Sequence, residues 1–118
     1  MNRLFALLLA LSVFAGCGSE KKVAANRETS YGSLAKADEA YRAKKYPDAL
    51  AQYDECIKAG GVQADVLGET YVKRGVCKIE TADLPGAEAD LSMAEQAGAV
   101  GEDYKNAQKR LNEKKSGR

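Results

Sequence analysis

The sequence predicts an all-α fold in which antiparallel helix pairs stack as a helical-hairpin repeat solenoid. Beyond residue 30, apolar and small residues recur at helical spacing, and no run has the period of two that is typical of a strand. Prolines and glycines stand where such helices would begin and end. The same pattern occurs twice, at the constant shift that relates Pro47 to Pro85, which indicates a stacked repeat.

The first predicted hairpin occupies residues 30–63. Its two helical faces are defined by Leu34, Ala37, Ala40 and Tyr41 and then by Ala49, Leu50, Tyr53, Cys56 and Ile57. Pro47 suits the first turn of the second helix, because the N–H that proline lacks has no partner there. Gly60 and Gly61 suit the end of that helix.

The second predicted hairpin occupies residues 68–101, and a capping helix over residues 102–114 and a tail over residues 115–118 follow it. Pro85 and Gly98 repeat the roles of the first proline and glycine. The last helix has one apolar face, formed by Tyr104, Ala107 and Leu111. Its other positions are mostly charged, so we expect it to cover the open end of the second hairpin.

Small residues recur at fixed intervals along both hairpins. The two triplets, which have the same pair of intervals, are Ala37, Ala49, Cys56 and Gly75, Ala87, Ala94. Small side chains let helix backbones approach to the short end of the usual 8–10 Å. This pattern resembles the tetratricopeptide repeat, as do Tyr46 and Leu84 before the second helices. The resemblance implies two repeats and a concave groove that holds an extended peptide or a partner helix.

Two features depart from the family's pattern. Ser33 stands where the first repeat would carry a large aromatic residue, which Tyr71 supplies in the second. Four extra residues, expected around residues 61–68, separate the repeats relative to the usual 34. Two repeats are also fewer than the three or so that such stacks need. The capping helix, or a second copy of the chain, is expected to cover the ends.

The N-terminus resembles the signal peptide of a bacterial lipoprotein over residues 1–16. Arg3 gives a basic start, and the apolar run over residues 4–15 would be a helix of roughly 18 Å, too short for a bilayer core of about 30 Å. The motif Phe-Ala-Gly-Cys that ends at Cys17 is similar to a lipobox, with Phe in place of the usual Leu. The resemblance implies lipidation of Cys17. Cleavage by ordinary signal peptidase after Ala15 is the alternative.

Residues 17–29 are interpreted as the lipidated cysteine and a polar linker to a folded domain over residues 30–114. One acyl chain binds a membrane only marginally, and the multiply acylated, palmitate-bearing cysteine of this class implies a lasting tether. Gly18 follows the cysteine, rather than the Asp that retains lipoproteins in the inner membrane of enteric bacteria. By this resemblance we expect the outer membrane of a bacterial cell envelope, with the domain facing the periplasm.

Composition argues against several classes of function. The 18 Lys and Arg residues nearly balance 17 Asp and Glu residues, and loss of Arg3 with the signal peptide makes the mature chain neutral, which disfavours nucleic-acid binding. The chain has no histidine, the commonest general base and metal ligand. It also has no zinc-site spacing of cysteines and no phosphate-binding loop. We therefore expect no enzymatic activity, no cofactor and no metal.

Two cysteines remain if Cys17 is lipidated. Cys56 and Cys77 are an even pair in an oxidising compartment, so a disulfide between them is one interpretation. The other is that both are small buried residues at helix contacts, as free cysteines often are.

Carried onto this sequence, the resemblance implies groove residues on the first helix of each hairpin: Tyr31, Leu34, Asp38, Tyr41, Arg42, Val72, Lys73, Val76, Ile79 and Glu80. Asn106 and Arg110 are expected at its border. Some of these, notably Leu34 and Val76, have a second interpretation as residues that pack between helices. The positions do not carry the Lys, Asn and Arg set with which chaperone-type members clamp a terminal carboxylate.

The leading hypothesis is a membrane-anchored adaptor that recruits an envelope protein or peptide through this groove. The alternative is a self-associating structural spacer, a homo-oligomer with no foreign ligand.

Overall fold

The structure, a computed structural model, describes residues 25–117 and confirms that the domain is all-α. In this part of the chain α1 covers residues 25–42, and the helices that follow are α2 (Tyr46–Ala59), α3 (Ala64–Glu80), α4 (Leu84–Gln96) and α5 (Glu102–Lys115). Helices that follow one another pack together, and α3 also contacts α5. None of the helices among residues 25–117 has both the length and the hydropathy of a membrane span.

The turns over residues 43–45 and 81–83 have the same backbone structure. Their middle residues, Lys44 and Ala82, have positive φ angles of 60° and 66°. In each turn the middle N–H donates to the carbonyl three residues earlier, at 3.0 and 3.1 Å. The next N–H donates to the carbonyl five residues earlier, at 2.9 and 2.8 Å. This pair of bonds is the Schellman motif, so the first helix of each hairpin ends in the same way.

Proline fixes where the second helix of each pair begins. Pro47 and Pro85 are each the second residue of their helix, within the first turn, where no carbonyl of the helix is available to an N–H. The start of α4 is capped as well, because the Asp83 carboxylate accepts a hydrogen bond from the Gly86 N–H at 3.1 Å. The start of α2 has no side-chain cap.

Two groups of buried residues form the core, and α3 contributes to both. One lies between α1, α2 and α3 and contains Ala37, Ala49, Tyr53 and Cys77. The other lies between α3, α4 and α5 and contains Val72, Ile79, Ala87, Leu91, Ala94, Ala107 and Leu111. The apolar face of α5 therefore covers the second hairpin, as its sequence pattern indicates.

All six small residues of the two triplets are buried: Ala37, Ala49, Cys56, Gly75, Ala87 and Ala94. Gly75 illustrates the reason. A Cβ atom at Gly75 would lie 3.4 Å from Leu91 Cδ2 and 3.5 Å from Asp90 Cβ, so α3 and α4 are in close contact there. The small residues thus lie at helix crossings, as predicted from their spacing.

The boundary of the predicted linker is wrong by at least five residues. Helix α1 already includes residues 25–29, which were assigned to the linker. The backbone of Arg27 lies against Gly61, where an added Cβ would be 3.2 Å away, and the buried Ser30 hydroxyl donates to the Gly60 carbonyl. These contacts with the α2–α3 loop order the start of α1. The residues before 25, and with them the predicted signal peptide and Cys17, lie outside the described residues.

The four extra residues expected around residues 61–68 do not lengthen the α2–α3 loop, which consists of residues 60–63. Helix α3 begins at Ala64, so the four residues before the predicted start at 68 form one further helical turn.

Candidate functional site

A groove of about 860 Å³ lies between α3, α5 and the end of α1. The α1 side is Tyr41, and α3 contributes Glu69, Val72, Lys73 and Val76. The α4–α5 loop and α5 form the other side with residues that include Val100, Asp103, Asn106, Ala107 and Arg110. Val72 and Ala107 are buried at its base, and the charged residues surround them. An apolar base within a polar rim is the usual anatomy of a binding surface.

The structure brings four of the predicted groove residues together. Tyr41, Val72, Lys73 and Val76 all line this groove, and so do Asn106 and Arg110, which were expected at its border. Asp38 does not line the groove itself, but its Oδ1 atom lies 3.2 Å from Lys73 Nζ.

The other five candidates do not line the groove. Ile79 is 3% exposed and packs in the core between α3, α4 and α5, so its assignment to the groove is wrong. Leu34 packs against the α1–α2 core, in agreement with its second interpretation. The Tyr31 hydroxyl accepts a hydrogen bond from the Gln63 N–H at the far end of α1. Arg42 is exposed at the end of α1. Glu80 forms an ion pair with Arg110.

Asp38 connects the buried Tyr53 of the first hairpin to Lys73, which lines the groove. Its Oδ1 atom accepts hydrogen bonds from the fully buried Tyr53 hydroxyl at 2.7 Å and from Lys73 Nζ. Burial, followed by the bond to Asp38, raises the pKa of Tyr53, so this hydroxyl keeps its proton at any physiological pH. Tyr53 therefore donates to the same Asp38 oxygen that accepts from Lys73.

Tyr41 stands at the edge of the groove. Burial is the main cause that raises its pKa, and smaller contributions come from Cys77, Tyr46, Asp103 and Glu80. The ring packs edge-to-face against Tyr46 and Tyr53, at centroid distances of 6.1 and 6.3 Å. The Tyr41 ring is thus held between two other aromatic rings at the edge of the groove.

An ion network that was not predicted from the sequence joins α2, α3 and α4. Arg74 donates from Nε and Nη2 to both carboxylate oxygens of Asp90, at 2.9 and 2.7 Å. Lys78 Nζ lies 3.1 Å from Asp90 Oδ2, and Arg74 Nη1 lies 3.1 Å from Asp54 Oδ1. Asp90 is 2% exposed, so this carboxylate is buried with two cations. In the sequence, this network is indicated only by the charged residue Asp90, which directly precedes Leu91 on a face that is buried.

Cys56 and Cys77 are free thiols, and both are fully buried. The structure therefore agrees with their interpretation as small residues at helix contacts. Burial raises the pKa of the Cys77 thiol to about 12 and that of Cys56 above its ordinary value. Since the thiolate is the nucleophile, neither group has the lowered pKa of a reactive cysteine. Among residues 25–117 no group of His, Cys, Asp and Glu could hold a metal ion.

Compared with family models, with curated proteins and with solved structures, the chain matches none.

Proposed function

We propose that this protein is a membrane-anchored interaction module of the bacterial envelope that binds a protein or peptide in the groove between α1, α3 and α5. The position of the groove carries the proposal. Its walls include the first helix of each predicted hairpin and the capping helix, where the resemblance to tetratricopeptide repeats implies a binding surface. Tethering at Cys17 would hold this surface close to a membrane.

Two observations support a repeat origin for this arrangement. The Schellman turns centred on Lys44 and Ala82 have matching hydrogen bonds, and they are related by the same shift as Pro47 and Pro85. That shift also relates the small residues of both triplets, all of which are buried at helix contacts. A stack of two hairpins with α5 as a cap would present its first helices on one side.

The groove is tested by photo-crosslinking in membranes. A photoreactive amino acid replaces Asn106, which is exposed and lines the groove, and a control replaces Ser92, which is exposed on α4 and lies outside it. We expect Asn106 to crosslink to an envelope protein, and Tyr41→Ala, which truncates the α1 side of the groove, to remove that crosslink. Crosslinks only between copies of the chain would favour the spacer alternative. Equal crosslinking from Ser92 would contradict a groove ligand.

The anchor has a separate test. Incorporation of radiolabelled palmitate should be lost in the Cys17→Ser variant, and the protein should then leave the membrane fraction. Retention of label in that variant, or a mature N-terminus at Gly16, would contradict lipidation at Cys17.

A further inference from the structure

Four carboxylates and three cations line the groove. The carboxylates are Glu69 on α3 and Glu102, Asp103 and Glu113 on α5. The cations are Lys73, Lys109 and Arg110. All four carboxylates are exposed, so they are available to a ligand.

Two of the three cations already have partners. Lys73 forms an ion pair with Asp38, and Arg110 forms one with Glu80. Neither of these partner carboxylates lines the groove itself. Within the part of the chain that the structure describes, Lys109 is the one groove cation outside an ion pair, and none of the four lining carboxylates is in one. The charge that the groove offers to a ligand is therefore negative, although the mature chain as a whole is neutral.

The base of the groove remains apolar, with Val72, Val76 and Ala107 between the two charged rims. A complementary ligand needs positive charge at intervals and apolar side chains between the charges.

We propose that the groove selects a basic polypeptide segment, one that carries several Lys or Arg residues and at least one aliphatic side chain. This inference rests on the proposed function and specifies its ligand. Charges on the rim of an interface act mainly on selectivity, association rate and salt dependence. The aliphatic side chain would contact Val72 and Val76, while the cations would lie near Glu69 and Asp103.

The selection is tested with two labelled peptides blocked at both ends. One is Ala-Lys-Leu-Lys-Ala-Lys-Leu-Lys-Ala, and the other has Glu in place of each Lys. Fluorescence anisotropy with the folded protein should give the Lys peptide a Kd at least tenfold lower than that of the Glu peptide. The preference should shrink between 50 and 300 mM salt, because exposed charges are screened.

The matched variants remove equal charge at two places. Glu69→Gln with Asp103→Asn should weaken binding of the Lys peptide at least fivefold. Glu39→Gln with Glu55→Gln removes the same charge from exposed positions on α1 and α2 outside the groove, and should change the Kd less than twofold. Circular dichroism of both pairs checks that the helices are intact.

Three results would overturn the inference: equal or tighter binding of the Glu peptide, binding of neither peptide, or equal weakening by both pairs of variants. These are distinguishable from failure of the proposed function. A crosslink at Asn106 that Tyr41→Ala removes would keep the groove as a docking surface even if the ligand proved acidic. If Asn106 formed no crosslink to an envelope protein and neither peptide bound, both proposals would be contradicted.

Discussion

The helix pairs α1–α2 and α3–α4 have matching turns between their helices but satisfy their buried positions with different chemistry. Tyr53 in α2 and Leu91 in α4 hold corresponding positions of the two hairpins, and both are fully buried. The Tyr53 hydroxyl needs an acceptor, which Asp38 provides. The residue that corresponds to Asp38 is Val76, which is apolar and packs beside the second core. The two positions are therefore both polar in the first hairpin and both apolar in the second.

Buried charge shows the opposite difference between the two hairpins. Arg74 and Asp90 form the buried ion pair of the second hairpin, whereas the corresponding residues of the first are Lys36, which is exposed, and Gln52. The first hairpin thus buries a neutral donor against a half-buried acid, and the second buries a full ion pair. Matching turns therefore do not dictate where polar groups are buried.

Asp90→Ala should lower the free energy of unfolding by about 3 kcal/mol, because it leaves Arg74 and Lys78 without their buried partner. Urea denaturation followed by circular dichroism measures the change. Asp54→Ala is the control, since Asp54 contacts the same Arg74 but its side chain is 54% exposed. It should cost less than about 1 kcal/mol. Equal losses would show that burial of Asp90 does not matter.

Gly68→Ser copies Ser30 of the first hairpin into the corresponding position of the second. We expect a loss of about 2 kcal/mol, because a Cβ at Gly68 would lie 2.9 Å from Ala99 Cβ and 3.1 Å from Ala97 Cβ. Ser30 avoids such a clash because it faces the glycines of the α2–α3 loop. Gly32→Ser, which has nothing within 4 Å, should change stability by less than about 0.5 kcal/mol. An unchanged stability in Gly68→Ser would show that the loop against Gly68 tolerates a side chain as the α2–α3 loop tolerates Ser30.

Tyr53→Phe should reduce the free energy of unfolding by about 1 kcal/mol, because it removes one buried hydrogen bond and leaves Asp38 paired with Lys73. Chemical denaturation measures it. Tyr46→Phe, on the neighbouring ring of the same cluster, should have a smaller effect. An unchanged stability in Tyr53→Phe would mean that the polar pair adds nothing over the apolar pair of the second hairpin.

Lys44→Gly and Ala82→Gly should each raise stability by about 0.5–1 kcal/mol, since glycine adopts positive φ angles without strain. Thermal unfolding would show two similar increases if the turns are equivalent. Ala89→Gly, at an exposed position within α4, should instead lower stability by about 1 kcal/mol. A large difference between the two turn variants would break their equivalence.

Much of the fold could be predicted from the sequence because its signals are local. Helical spacing, Pro47, Pro85 and the small-residue triplets depend on nearby residues, and the structure agrees with the helices and burial they indicate. The start of α1 could not be predicted in this way. Residues 25–29 have no apolar period, and their order depends on contact with Gly61, which lies beyond the whole of α2 in the chain.

The candidate site was predicted only in part for a related reason. Helical periodicity places a residue on a face but does not say which neighbour covers that face. Tyr41, Val72, Lys73 and Val76 line the groove, whereas Ile79 is covered by the core beside α5. The buried network of Arg74 and Asp90 was missed because charged residues are ordinarily interpreted as solvent-exposed.

The double role of α3 has a consequence for how the molecule opens. This helix contributes Cys77 to one core and Val72 and Ile79 to the other, so neither hairpin can separate without breaking contacts of α3. We expect the amide hydrogens of α3 to exchange with solvent last, and only through global unfolding. The groove is lined by this slowest-opening segment on one side and by the terminal helix α5 on the other. A ligand that contacts both α3 and α5 would therefore slow hydrogen exchange mainly in α5. Exchange in α3 would already require unfolding of the whole domain.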